Sequence, residues 1–141
     1  MEISNEQRGK AKEIVEKYGI LFAVVFGSQI NGKARKNSDL DIGIFDPKTE
    51  AQKRYGDLYN DFSETFKGYN VDLRIIGGDE PVFLYNTLMK GKFLAGDEQS
   101  FFSYKAFAFK NFIDSQKLFE LKGHLLRKRQ EILNKKIQYA Q

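Results

Sequence analysis

Two short groups of residues in the first half of the chain have the types and spacing for phosphate and metal chemistry. Gly27 and Ser28 end an apolar run, and ten residues further on come Asp39 and Asp41. The two aspartates are two positions apart in a segment that alternates like a strand, so both carboxylates leave the same face. The pattern predicts a carboxylate pair on one side of a sheet, with core residues on the other side.

A third carboxylate follows the same alternation in the next apolar segment. Asp72 and Arg74 fall on one side of this segment, and Val71, Leu73 and Ile75 fall on the other. If the two strands are neighbours, about 4.8 Å apart, Asp72 converges with the first two aspartates. Since Gly43 lies on that same side, we expect it to leave room there for a ligand.

Three crowded carboxylates repel one another unless a cation compensates them. Mg²⁺ prefers oxygen ligands and commonly binds through one or two carboxylates together with substrate phosphates. Paired divalent ions stabilise the attacking and leaving oxygens of a phosphoryl displacement. The constellation therefore predicts phosphoryl or nucleotidyl transfer, in which the third carboxylate completes the second metal site and helps to deprotonate the incoming hydroxyl.

The residues around the aspartates suit a nucleotide triphosphate. Gly27 lets the backbone approach a phosphate without a Cβ, and Ser28 offers a hydroxyl and an amide. Arg35 and Lys36 are placed in the sequence to balance triphosphate charge.

Alternating helical and strand patterns surround these residues and predict an α+β fold. We expect a small mixed sheet with helices on one face and a long C-terminal helix. Helices are predicted over residues 4–18, 49–67 and 79–90, and strands over 20–26, 40–45, 70–76 and 91–95.

The last third of the chain has helical periodicity. Two apolar rows recur every seven residues, one formed by Phe112, Phe119, Leu126 and Leu133 and the other by Leu118, Leu125 and Ile132. One helix over about 100–138 would measure on the order of 57 Å, against a radius of gyration of about 14 Å for a globule of this size. The helix must therefore bend near Gly123, project from the body of the protein, or lie against a second chain.

Charge and domain organisation also set this segment apart. Residues 100–141 carry 9 basic and 3 acidic side chains, whereas the chain as a whole has a net charge of only +4. We expect one structural domain with a catalytic core over 1–98 and a helical extension over 99–141. The extension is expected to pack on the core, on another copy of the chain or on a partner.

Composition excludes several classes of protein. The 141 residues include no cysteine and one histidine, which argues against a disulfide scaffold, a cysteine nucleophile and a conventional zinc site. No apolar run approaches the roughly 18 residues of a membrane span, and no signal peptide is visible. A cytoplasmic protein without membrane contact is expected.

The spacing of Gly27-Ser28 and Asp39-x-Asp41 matches the signature of the DNA polymerase β-type nucleotidyltransferases. The longer run "FGSQINGKARKNSDLDIGIF" resembles their minimal nucleotidyltransferase (MNT) branch. This resemblance implies a polymerase β-like palm, ATP as substrate and two Mg²⁺ ions. It also implies Asp39, Asp41 and Asp72 as metal ligands and catalytic groups, and Gly27 and Ser28 as groups that bind the nucleotide phosphates. Arg35, Lys36 and Ser38, in the same run, complete the expected nucleotide-binding set.

The C-terminal segment is similar to the terminal helix of MNT antitoxins that are paired with HEPN ribonuclease toxins. This second resemblance implies AMP transfer from ATP to a tyrosine of the toxin, which is the expected partner. Two alternatives stay open: an acceptor such as an aminoglycoside or an RNA 3′ end, and an antitoxin that neutralises by binding alone. Direct binding of nucleic acid is not expected, because a basic helix face is more often solvated.

Overall fold

The computed structural model describes residues 1–30, 32, 38–77 and 80–140. Within these residues a four-stranded sheet has the order β3-β2-β1-β4. The strands β2 and β3 are parallel, and β1 is antiparallel to both β2 and β4. The strands are β1 Phe22–Phe26, β2 Leu40–Phe45, β3 Val71–Ile76 and β4 Lys92–Gly96.

Four α-helices are interspersed among these strands, as the sequence predicted, and β2 follows β1 as the next element. The helices are α1 Asn5–Tyr18, α2 Tyr55–Thr65, α3 Pro81–Lys90 and α4 Glu98–Ala140, with a 3-10 turn at Ala51–Arg54 before α2. Local chemistry fixes their ends: Ser4 and Gln7 form the expected capping box of α1, and Gly19 ends that helix in the left-handed conformation. The predicted α+β class, mixed sheet and long terminal helix are confirmed.

One face of the sheet is covered by α1 and α2. The odd-even alternation of the strands sends Val25, Ile42 and Leu73 to this side, where they are buried against Ile14 and Phe62. This is the face opposite to the aspartates, so its packing holds the carboxylate-bearing strands in register.

The other face also carries helices, which corrects the expectation of helices on one face only. Phe22 and Phe45 stack there with ring centroids 4.3 Å apart, and Leu88 of α3 and Phe101 of α4 are buried in the same cluster. Because the side chains of β1 are apolar on both faces of the strand, both faces of the sheet have to be covered by helices at its centre.

The helix α4 is one uninterrupted segment of 43 residues, on the order of 64 Å long. Its first turns pack on the body, where Phe112 stacks on Tyr85 of α3 at 4.2 Å. From His124 to Ala140 every residue is exposed. Of the geometries that the sequence allowed, the structure has the projecting one, without a break at Gly123. The division into a core over 1–98 and an extension over 99–141 stays a prediction.

Over the described part of the chain, none of the helices is both long enough and apolar enough to cross a lipid bilayer.

Candidate active site

Two of the predicted carboxylates meet across the parallel strands β2 and β3. Asp41 and Asp72 are paired in the register of these strands and point to the same face. Burial raises the pKa of the Asp41 carboxyl to about 6, and the neighbouring charges of Asp72 and Asp39 add to the rise. The raised pKa of Asp41 indicates that the two carboxylates are crowded and that their negative charges repel each other.

Asp39 lies just before β2, on the same side as Asp41. Its Oδ1 accepts a hydrogen bond of 2.7 Å from Nδ2 of Asn70, while the backbone N–H of Leu40 donates to the Asn70 carbonyl. The charge of Asp39 reaches Asp41, but no group of three metal-binding side chains is assembled among the residues that the structure describes. The three aspartates lie near one another on one face of the sheet, and Asp41 and Asp72 are the pair in direct register.

The turn after β1 brings Gly27 against Asp41. Gly27 has φ +82°, and a Cβ at this position would overlap Oδ2 of Asp41. Only glycine combines this conformation with so close an approach. The half-buried Ser28 follows directly in the same turn.

A hydrogen bond ties this turn to the start of β2. Gln29 Nε2 donates to the carbonyl of Ser38 at 2.9 Å, and the Ile30 N–H donates to the Gly27 carbonyl at 3.2 Å. These bonds place Ser38 and Asp39 next to the Gly27–Ser28 turn. Arg35 and Lys36, the other predicted nucleotide-binding residues, lie outside the described residues.

A cation stands beside the carboxylate pair. Arg74 pairs in register with Gly43, one alternation beyond Asp72, and its guanidinium lies over the Phe83 ring, 5.0 Å from the centroid. Its positive charge opposes the rise in the pKa of Asp41. Phe83 in turn contacts Phe26, which precedes the Gly27 turn, with ring centroids 6.1 Å apart.

The expected room for a ligand at Gly43 is not there. A Cβ at Gly43 would lie 2.6 Å from Cδ1 of Ile76 and 3.2 Å from Cγ2 of Val24. Ile76 and Val24 of the hydrophobic cluster fill the space beside Gly43 on this face of the sheet. A ligand therefore has to occupy the region beyond Asp41, toward Gly27.

Sequence reasoning assigned no role to Gln29, Asn70 or Arg74. The alternation of β3 did place Arg74 on the side of Asp72, which was a usable signal. The pairing of Asn70 with Asp39 depends on the parallel register, because one residue of slip would separate them.

The fold resembles solved toxin–antitoxin structures. One is a toxin–antitoxin with AMP-PNP, at TM-score 0.58 and 20% identity over 90% of this chain and 95% of that chain. Another is the toxin–antitoxin MntA-HepT, at 0.55 and 18% over 93% and 97%. A third is a tri-AMPylated Shewanella oneidensis HEPN toxin in complex with MNT antitoxin, at 0.53 and 18% over 91% and 93%. At such identities the likeness is one of fold.

No curated protein sequence matches the chain. The domain described as "Polymerase beta, Nucleotidyltransferase" matches residues 9–100, which is most of the chain and includes β1, β2 and β3 with all three aspartates. The chain therefore belongs to the polymerase β nucleotidyltransferase family.

Proposed function

We propose that this protein is a Mg²⁺-dependent nucleotidyltransferase that transfers AMP from ATP to a tyrosine hydroxyl of a HEPN ribonuclease toxin, and that it acts as the antitoxin of that toxin. The observation that carries the proposal is the pairing of Asp41 with Asp72 across β2 and β3, beside the Gly27–Ser28 turn. Family membership supports nucleotidyl transfer. The neighbouring folds, one with AMP-PNP and one with an AMPylated toxin, support the nucleotide and the acceptor.

The residues present fit a hard divalent cation. All the donors are carboxylate oxygens, and the contact between Asp41 and Asp72 is a repulsive one that a cation between them relieves. Asp39, Asp41 and Asp72 would hold Mg²⁺, as two ions, which when bound neutralises triphosphate charge and polarises the α-phosphate. The hydrogen bond from Asn70 to Asp39 is the kind of outer contact that orients a metal ligand.

The residues of this chain have separate roles in the proposed transfer step. The acceptor tyrosine oxygen attacks the α-phosphorus of ATP, and the bond from that phosphorus to the bridging oxygen breaks. Pyrophosphate leaves with the electron pair, and Asp72 accepts the hydroxyl proton. The Gly27–Ser28 turn binds the phosphates, and Arg74 offsets part of the negative charge of the bound triphosphate.

The test is transfer of label from [α-³²P]ATP to the product of the adjacent open reading frame, which the proposal expects to be a HEPN-type protein. We expect Mg²⁺-dependent labelling of that protein, removed by EDTA and by the double variant Asp39→Asn/Asp41→Asn. The matched control is Glu13→Gln/Glu64→Gln, which removes two exposed carboxylates from α1 and α2 on the other side of the sheet. Absence of labelling with Mg²⁺, or equal labelling by the aspartate variant, contradicts the proposal.

The same proteins separate the two alternatives. Labelling of an aminoglycoside or an RNA 3′ end, with none on the protein, identifies a different acceptor for the same chemistry. If the aspartate double variant still forms the complex and still suppresses the ribonuclease, neutralisation occurs by binding alone.

A further inference from the structure

Beyond Ser115, α4 repeats one seven-residue pattern three times. Each repeat has two adjacent apolar residues followed, three positions after the second, by a cation. The repeats are Leu118-Phe119 with Lys122, Leu125-Leu126 with Arg129, and Ile132-Leu133 with Lys136. Seven residues are close to two helical turns, so the repeats lie one above another on the same side of the helix. We call these nine residues the cation-centred face.

The cations lie between the two apolar rows. Arg129 is four positions after Leu125 and three after Leu126, so it is a surface neighbour of both. The other two repeats have the same geometry. The result is a line of three positive charges about 10.5 Å apart along the helix axis, with an apolar row on either side.

Nothing in the described part of the chain covers this face. Its six apolar side chains are between 43% exposed at Leu133 and 66% exposed at Phe119. The ion pairs found among the described residues involve none of its three cations. Only the first repeat approaches the body, where Leu118, Phe119 and Lys122 border a groove against Pro81 and Val82 at the start of α3.

A second copy of the chain does not suit the cation-centred face. If two copies of α4 packed in parallel through this face, Arg129 of one copy would lie opposite Arg129 of the other. If they packed antiparallel about Arg129, Lys122 of one copy would lie opposite Lys136 of the other. Each cation thus opposes a cation, which is destabilising at close range. Between Lys117 and Lys136 there are seven basic and only two acidic side chains, so the rest of the helix does not compensate.

A lipid surface does not suit it either. Helices that lie on membranes keep their cations on the polar side and bury an uninterrupted apolar side. Here the cations divide the apolar side, so insertion of the two rows would carry Lys122, Arg129 and Lys136 toward the acyl chains.

We propose that the cation-centred face docks on a helical surface of a partner protein whose carboxylates are spaced by seven residues between apolar side chains. Such a surface covers both apolar rows and places an anion against each cation, which fixes the register of the two helices. The inference rests on the proposed function for the identity of the partner as the toxin, and it adds the chemistry of the partner's binding surface.

The test compares two triple charge reversals in the full chain. The first is Lys122→Glu/Arg129→Glu/Lys136→Glu. The control is Lys117→Glu/Lys128→Glu/Lys135→Glu, which changes the net charge equally but lies roughly 100–140° around α4 from the three cations, outside the space between the two apolar rows. Binding of the product of the adjacent open reading frame, the expected HEPN-type protein, is measured by isothermal titration calorimetry. Circular dichroism spectra that superimpose on the wild type establish that both variants fold.

We expect the first reversal to weaken binding by about 10-fold or more and the control by less than about 3-fold, since only the first places like charges in the interface. Equal effects of the two reversals overturn the inference. So does a dimer of the full chain alone in light scattering, or sedimentation of the wild type with vesicles of phosphatidylcholine and phosphatidylglycerol.

Labelling with [α-³²P]ATP on the same samples distinguishes the two proposals. If the toxin binds through the cation-centred face but is never labelled, the proposed transfer fails and the docking inference stands. If the toxin is labelled and both reversals bind equally, the docking inference fails and the transfer stands.

Discussion

At the scale of single residues, the candidate site depends on what surrounds two carboxylates. Asp41 is held between the Asp72 side chain and the backbone of Gly27, so its position is set from both sides. Asn70 fixes Asp39 through a hydrogen bond, and Arg74 balances part of the negative charge. At Gly27 a larger residue would have to move a carboxylate, because its Cβ would overlap Oδ2 of Asp41.

Gly27→Ala tests the contact between the turn and Asp41. We expect loss of most AMP transfer, because the added Cβ overlaps the Asp41 carboxylate, together with about 1 kcal/mol of lost stability from the left-handed φ. Transfer assays and thermal melts measure the two effects.

The control for that substitution is Gly68→Ala. Gly68 also has a positive φ, +95°, but a Cβ there meets nothing within 4 Å. It should lose comparable stability and keep its activity. Equal activity of the two alanine variants would show that Asp41 tolerates displacement.

Arg74→Ala should raise the KM for ATP by about 10-fold, because a cation beside the phosphates is lost, with a smaller change in kcat. Arg74→Lys should recover part of the affinity, and Lys12→Ala on α1 should change neither constant. Steady-state kinetics over a range of ATP concentrations measure this. A fall in kcat at constant KM would assign Arg74 to a different step.

The part of the site that could be predicted from the sequence is the part that depends on strand alternation. The alternation places Asp41 and Asp72 each on the side of its strand opposite the core residues, and the two sides coincide because β2 and β3 are parallel neighbours. It could not show that Gly43 faces Ile76 rather than open space, because that depends on packing between strands and α3. Nor could it find Asn70, since the partner of Asp39 is set by the register of two distant segments.

At the scale of secondary-structure elements, α1 and α2 are tied together behind the sheet. Asp61 of α2 accepts a 2.6 Å hydrogen bond from the Tyr18 hydroxyl and one of 3.1 Å from Lys17 Nζ. These hydrogen bonds, that of Tyr18 foremost, lower the pKa of Asp61. The helices that support the carboxylate-bearing strands thus share one polar contact at their edge.

Asp61→Asn should lower the free energy of unfolding by about 1 kcal/mol at pH 7, because hydrogen bonds to a charged acceptor are lost. Since the pKa is lower in the folded protein, this stabilisation is complete above the unfolded value near 3.9 and disappears as the pH falls through the folded value. Urea denaturation at pH 7 and pH 3 measures the difference.

Glu64→Gln is the control, because Glu64 is an exposed carboxylate on the same helix. It should show little change at either pH. A deficit of Asp61→Asn that persists unchanged at pH 3 would mean that packing, and not the charge, is responsible.

At the scale of the whole molecule, the body and the end of α4 are stabilised differently. Phe101 and Ala108 of α4 are buried in the body, whereas residues 124–140 have no buried side chain. A helix without tertiary contacts depends on propensity alone and frays readily. The helix end is therefore expected to open far more often than the rest of α4.

Hydrogen exchange checks this difference directly. We expect amides of residues 124–140 to exchange at least about 100-fold faster than those of 101–112, since local opening there costs little. Addition of the HEPN-type protein should slow exchange in 124–140. Uniform slow exchange along the free helix would indicate a contact absent from this structure.

The carboxylate pair joins the outermost strand β3, which carries Asp72, to its inner neighbour β2, which carries Asp41. Within the described residues β3 is an outermost strand. The Tyr55 hydroxyl donates a 2.7 Å hydrogen bond to the backbone carbonyl of Leu73 on this strand. Addition of a foreign strand at that point is therefore hindered, while Asp72 remains accessible from the side. A large folded acceptor can present one protruding side chain to such a rim, whereas a deep cleft would admit only small molecules or extended chains.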